Sequence, residues 1–191
     1  KLFVAANNMT GTHPTRFSVV RYGNVAGSRG SVIPFFQKLI NDGKNVLPIT
    51  DEEMTRFWIT LQEGVAFVLK NFERMKGGEI FVPKIPSIRI VDLASAIAPH
   101  LKTQIVGIRP GEKLHEIMCP KDDSHLTINF KEHYVLCPSI TFYNADNDFS
   151  IDMLGEKGQR VGQGFEYNSG TNPHFLSVEE LRAFTAYRTD E

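Results

Sequence analysis

Two cysteines, no long apolar run, almost no net charge and no nucleotide-binding glycine fingerprint mark what this 191-residue sequence lacks. Cys119 and Cys137 show no CxxC spacing, which argues against a disulfide framework and for a reducing cytoplasm. A membrane-spanning helix needs about 18 consecutive apolar residues, and no stretch approaches that. Lys1-Leu2-Phe3 runs straight into AANN without the pattern of a signal peptide. A net charge of -1 gives no electrostatic footprint for nucleic acid or an anionic membrane. Neither is expected as a partner, and a negatively charged ligand would have to be held by local cations.

The missing motifs narrow the chemistry further. Gly27-Ser28-Arg29-Gly30-Ser31 has neither the spacing nor the lysine of a Walker loop, and GxGxxG occurs nowhere. His115-Glu116 does not extend to HExxH, and His13, His100, His125, His133 and His174 lack ligand spacing, so no metal site is expected. No serine or cysteine sits in a nucleophile elbow.

What is present is an alternation of strand-like and helix-like runs. The first residues, KLFVAANN, read as the tail of a helix already under way, and the expectation is a fragment of a longer protein. A strand is expected over about residues 16–24, followed by a helix from Ser31 as N-cap, with Val32, Ile33, Phe35, Phe36, Leu39 and Ile40 at helical spacing. Asn41-Asp42-Gly43 should stop it. NVLPIT and MTRFWIT read as strands, LQEGVAFVLKNFERM as a helix ending at Gly77-Gly78, and GEIFVP as a strand. SIRIVDLASAIA should turn from strand to helix, TQIVGI should be a strand, and RPGEKLHEIM should open a short helix through its Pro-Gly turn. KDDSH reads as a solvated loop, HYVLCPSITF as extended, and SVEELRAF as a helix with a capping box from Ser177 to Glu180. Phe35, Phe36, Phe67 and Phe72 are expected in the core. The alternation argues for an α/β protein with a largely parallel sheet, whose ligands bind at the carboxyl ends of strands.

Two loops of that kind are Asn24 to Ser31 and Arg109 to Glu112. The first reads either as a plain turn or as a place where backbone N–H groups and Arg29 approach an anion at a helix start. Asn24 can both donate to and accept from a polar ligand. Arg29, Arg56 and Arg109 could each be a surface or salt-bridge residue. Together they could give a diphosphate several bidentate partners. Glu112 could accept from the vicinal hydroxyls of a ribose, or pair with Lys113 and help start a helix.

Four stretches in order and register carry a resemblance: RYGNVAGSRGSVIPFF at 21–36, PITDEEMTRFWIT at 48–60, GEIFVPKIPS at 78–87 and RPGEKLHEIM at 109–118. They resemble the extended short-chain dehydrogenase/reductase family and, within it, the bacterial nucleotide-sugar dehydratases. SHL at 124–126 and SVEELR at 177–182 extend the likeness along nearly the whole chain. The resemblance implies the C-terminal part of a Rossmann-like parallel sheet plus a smaller α+β substrate-binding portion, interleaved over residues 1–191. It implies NADP as cofactor, a UDP-sugar as substrate, and a homo-oligomer when the protein is intact. Tyr22 and Val25 would lie against the cofactor. Asn24 would bond the sugar, and Arg29, Ser31 and Val32 would border the sugar-diphosphate. Val46 to Pro48 would flank the uracil, Arg56 and Arg109 would clamp the diphosphate, and Glu112 would take the ribose. The family's glycine-rich loop, Thr-Asp-Lys segment and Tyr-x-x-x-Lys pair should precede Lys1, so no catalytic residue is expected in this chain. A related epimerase, a retaining dehydratase or a non-catalytic UDP-sugar-binding module are the rival readings.

Overall fold

The computed structural model describes residues 2–11, 13–140 and 148–186. In chain order, helix α1 (Leu2–Ala6) passes through a single 3-10 turn into strands β1 (Val19–Val20) and β2 (Asn24–Val25). Helix α2 (Val32–Asn41) precedes strands β3 (Val46–Ile49) and β4 (Thr55–Ile59), and helix α3 (Leu61–Arg74) leads to β5 (Ile80–Pro83). Strand β6 (Ser87–Arg89) turns directly into α4 (Ile90–Ile97), and β7 (Lys102–Ile105) and β8 (Ile117–Cys119) follow. The last part holds β9 (Thr127–Asn129), β10 (His133–Leu136), β11 (Gln159–Arg160), β12 (Tyr167–Asn168) and α5 (Val178–Ala186). The expected α/β architecture is present.

The chain divides into two compact units, each drawn from three stretches. One comprises Lys1–Tyr22, Gln62–Lys84 and Ile117–Tyr167. It is built on a sheet of order β1-β5-β10-β9-β11, in which β1 and β5 run parallel and the remaining pairs antiparallel. Its core gathers Phe81, Ile128, Phe130 and Val135, with Val20 and Phe67 packed against them. The other unit comprises Gly23–Leu61, Ile85–Glu116 and Asn168–Glu191. It contains the sheet β2-β4-β6, with β2 parallel and β6 antiparallel to β4, and the parallel pair β3-β7. Ile33, Phe36, Leu47, Ile49, Trp58, Ile88, Leu93 and Leu181 form its core.

Local chemistry accounts for the helix limits. The backbone of Gly43 takes φ 71°, a conformation that stops α2 at no steric cost. At α5 the capping box forms as expected: Ser177 N–H donates to the Glu180 carboxylate at 2.7 Å, and Glu180 N–H to Ser177 Oγ at 3.2 Å.

Several expectations are corrected. The single strand over 16–24 is two short strands in different sheets: Val19 N–H donates to Glu79 O, whereas Asn24 stands in register with Trp58. RPGEKLHEIM forms no helix. Gly111, at φ 86°, makes a turn, and its neighbours' carbonyls are taken by distant donors. Thr55 N–H and Arg56 Nη1 donate to Leu114 O, and Ser169 N–H donates to Glu116 O. Those carbonyls are therefore unavailable for an i→i−4 ladder. KDDSH belongs to a 3-10 helix, Lys121–Leu126, not a loop. The TQIVGI strand runs from Lys102 to Ile105. Residues 141–142 of the expected HYVLCPSITF strand lie outside the described residues, and its first part is β10. Phe36 is buried but Phe35 is exposed, since adjacent helical residues point about 100° apart. Phe72 is exposed too: with Leu61, Val65 and Leu69 it forms an apolar stripe along α3, whose buried residues are Gly64, Asn71 and Arg74.

Candidate functional site

In the second unit, the segment Arg109 to Glu116 lies along β4. The first hydrogen bond is that of Leu114 O, which accepts from Thr55 N–H at 3.0 Å and from Arg56 Nη1 at 3.1 Å. Arg56 Nη1 also donates to its neighbour's carbonyl, Thr55 O, at 2.6 Å. Its Nε stands 3.7 Å from Glu116 Oε1, with the guanidinium side chain 14% exposed and the carboxylate 39%. Burial lowers the pKa of Arg56, and the charges of Glu116 and then Glu112 act against that shift. Glu112 in turn accepts from Arg109 N–H at 3.0 Å. Among the described residues it forms no ion pair with Lys113 and starts no helix; it closes the Pro-Gly turn that presents Arg109 to solvent.

The tertiary structure thus brings together Arg56, Glu112 and Glu116, with Arg109 tied to them through Glu112. Arg56 lies on the expected MTRFWIT strand, as the second residue of β4 in register with Ile88 of β6. Its fork is pre-aimed by two carbonyls. The loose ion pair with a half-exposed carboxylate is one that a more highly charged anion can displace.

The other expected residues are placed as follows. Asn24 is exposed on β2 beside Trp58 of β4, and Val25 is in register with Ile59. Gly23, just before them, stands against Phe57 with no room for a side chain. Ser31 occupies the N-cap position of α2, but its Oγ makes no capping hydrogen bond and has no partner among the described residues. Val32 packs against the core of the unit. Arg29 is exposed on the turn before α2, and no hydrogen bond or ion pair joins it to the Arg56 cluster among the described residues. Val46 and Pro48 lie on β3 in register with Lys102 and Gln104 of β7. Val46 is exposed, as are Ile105, Val106 and Ile108 at the end of β7. Tyr22 is exposed and belongs to the first unit.

Residue-type reasoning missed a second layer. His115 Nδ1 lies 2.8 Å from Thr55 Oγ1, which lies 2.7 Å from Ser169 Oγ, which accepts from Glu116 N–H at 2.8 Å. No local pattern could have revealed it, because Ser169 is far from the other members in sequence. The cysteines offer no nucleophile: burial pushes the Cys119 thiol up to about 12 and that of Cys137 up to about 11.

Comparison with known proteins adds to this geometry. A family model described as "Polysaccharide biosynthesis protein" matches residues 1–138. Over 181 residues, 95% of this chain, the sequence is 65% identical to a protein of Campylobacter jejuni named UDP-N-acetylglucosamine 4,6-dehydratase (inverting), of which the match covers 54%. It is 39% identical over 187 residues to a UDP-glucose 4-epimerase of Rickettsia canadensis, covering 95% of this chain and 52% of that protein. The chain therefore spans about half the length of the curated relatives it matches. The X-ray structure of Pen from Bacillus thuringiensis superposes with a TM-score of 0.79 at 28% identity, covering 98% of this chain and 55% of that one.

Proposed function

The chain belongs to the polysaccharide biosynthesis protein family, and from that premise we propose that it is the UDP-sugar-binding part of an NADP-dependent UDP-N-acetylglucosamine 4,6-dehydratase that inverts C5. The observation that carries this reading is the gathering of Arg56 on β4 with Glu112, and through it Arg109, on the neighbouring segment of a chain so similar to the Campylobacter jejuni dehydratase. A diphosphate needs fixed guanidinium groups in a protein without a global positive field. A ribose needs a carboxylate that can accept from two hydroxyls. The exposed Val46, with Pro48 two positions on, gives β3 an apolar flank suited to a planar pyrimidine.

In this reading Arg56 holds the diphosphate with the edge of its fork not engaged by Thr55 O and Leu114 O, and the diphosphate replaces Glu116 as its counter-charge. Arg109 closes on the same group, Glu112 takes the ribose, and Arg29, Ser31 and Val32 border the sugar-diphosphate. Asn24 bonds the sugar, and Tyr22 and Val25 keep their proposed contacts with the cofactor. NADP, when bound, would supply the reversible hydride exchange that a net loss of water from the sugar requires. This chain's side chains orient the sugar for that exchange. The proton transfers are assigned to none of them, because Thr-Asp-Lys and Tyr-x-x-x-Lys do not occur among its 191 residues. The intact protein is proposed to be a cytoplasmic homo-oligomer that opens the synthesis of pseudaminic acid. No helix among the described residues is long and apolar enough to cross a membrane.

The test is incubation of the full-length protein with UDP-N-acetylglucosamine and NADP, with the product followed by NMR. A 4-keto-6-deoxy sugar with inverted C5 is expected. Retention at C5 would make it a retaining dehydratase. Interconversion at C4 alone would make it an epimerase, as the Rickettsia relative's name suggests. UDP binding without turnover would leave a binding module.

A further inference from the structure

We propose that Ser169, Thr55 and His115 form a one-way hydrogen-bond chain that positions the Arg109–Glu116 segment for UDP binding, a role that rests on the functional reading above. The direction of the chain follows from its fixed end. Glu116 N–H can only donate, so Ser169 Oγ accepts, at 2.8 Å. Ser169 is fully buried, and among the described residues its own proton has one acceptor within reach, Thr55 Oγ1 at 2.7 Å. Thr55, also buried, then directs its proton to His115 Nδ1 at 2.8 Å. The reverse direction would leave the Ser169 proton without an acceptor in the interior, which is unfavourable for a buried hydroxyl. His115 is therefore held as the tautomer with its proton on Nε2.

The chain acts on the site through the backbone. Ser169 and Glu116 are joined twice, because Ser169 N–H also donates to Glu116 O at 2.8 Å. Thr55 is joined twice to the same segment, through its hydroxyl to His115 and through its N–H to Leu114 O. The Leu114 carbonyl that aims Arg56 and the Glu116 that faces it thus lie on either side of a residue whose ring is clamped. Gly170 closes the clamp: a Cβ there would come 2.7 Å from His115 Cγ and Nδ1. Thr55, His115 and Ser169 are positioning residues, since Arg56 and Glu112 make the proposed ligand contacts.

The experiment compares full-length unaltered protein with Thr55→Val, Thr55→Ser and Gly170→Ala. UDP affinity is read by calorimetry and the His115 ring tautomer by ¹⁵N NMR. Thr55→Val keeps the shape and removes the hydroxyl. It should lose the Nε2–H tautomer preference and weaken UDP binding by about tenfold. Thr55→Ser should restore both. Gly170→Ala pushes on the ring without touching the hydroxyls, should weaken UDP binding in the same way, and replaces Thr55→Val if that variant fails to fold. Unaltered protein that binds UDP while both Thr55→Val and Gly170→Ala bind it equally well would overturn this role alone. A His115 ring protonated on Nδ1 in the unaltered protein would overturn the direction of the chain. Unaltered protein that does not bind UDP would overturn the functional reading and this role with it.

Discussion

Gly23 and Phe57 approach so closely that a Cβ on residue 23 would stand 2.5 Å from Phe57 Cβ and 2.8 Å from its carbonyl oxygen. Both contacts are to atoms near or in the β4 backbone, which cannot swing aside. The substitution Gly23→Ala must therefore push β2 away from β4. It is expected to destabilise the protein by about 1–3 kcal/mol, the range for overpacking a tight interior. Because Asn24 follows directly, UDP-sugar affinity should fall as well. Urea unfolding and calorimetry on the full-length protein check both, and an alanine variant as stable as the parent would contradict the close packing.

Arg109 is presented to solvent by a turn that Glu112 closes through the Arg109 N–H, a bond that survives loss of the side chain. Arg109→Ala should therefore leave stability nearly unchanged. It should weaken UDP binding in the full-length protein by about 2 kcal/mol, close to thirtyfold, for the loss of a charged bidentate contact. Unchanged affinity would remove Arg109 from the site.

In the first unit Arg74, 2% exposed, has its Nε 3.5 Å from Asp152 Oδ2 and its Nη2 3.8 Å from Glu156 Oε2. Asp152 Oδ1 also accepts from Leu154 N–H and Glu156 N–H, each at 2.9 Å. Asp152→Ala would leave a buried guanidinium without its nearer counter-charge, at a cost of about 3–5 kcal/mol. Asp152→Asn retains an oxygen for the two backbone donors and should lose less. Equal stability of the two variants in urea would show that the charge lost in both, and not the two backbone hydrogen bonds, sets the cost.

His133 is fully buried and stacked on Phe130, with ring centroids 4.7 Å apart. Arg74 Nη1 lies 3.3 Å from its Nδ1 and can only donate, so the ring is neutral with its proton on Nε2. Burial, then the charge of Arg74, pushes its pKa down to about 3. The unfolded chain takes up this proton near the ordinary histidine value of about 6.5, and the folded chain does not. The stabilisation is therefore complete above about pH 6.5 and is lost as pH falls from there towards 3, by up to about 1.4 kcal/mol per pH unit. His133→Phe keeps a ring and cannot titrate, so its stability should fall less steeply between pH 6.5 and 4. Parallel pH profiles for the two proteins would overturn the assignment.

Elements whose limits are written in neighbouring residues were legible without the structure. The α5 capping box, the stop of α2 at Gly43 and the strand-to-helix turn at Ser87 to Ile97 depend on groups a few positions apart. The residues proposed to meet the diphosphate and the ribose, Arg56, Arg109 and Glu112, could be picked out by type, but not their arrangement. Phe72 and Phe35 misled because helical spacing marks a stripe as apolar without saying which stripe is covered. RPGEKLHEIM misled because its helical signal is local, while the donors that claim its carbonyls come from Thr55, Arg56 and Ser169.

The sequence by itself determined the alternation of strands and helices, the turn chemistry and the stock of cations, because backbone propensity, capping and charge act over one or two turns. Only the tertiary structure decided that Arg56 is aimed by the Leu114 carbonyl, and that Ser169 reaches Thr55 across 114 positions and Thr55 reaches His115 across 60. Those contacts depend on which strands pair and which faces pack. Burial then makes an unpaired hydrogen-bonding group unfavourable and holds each one to a single partner.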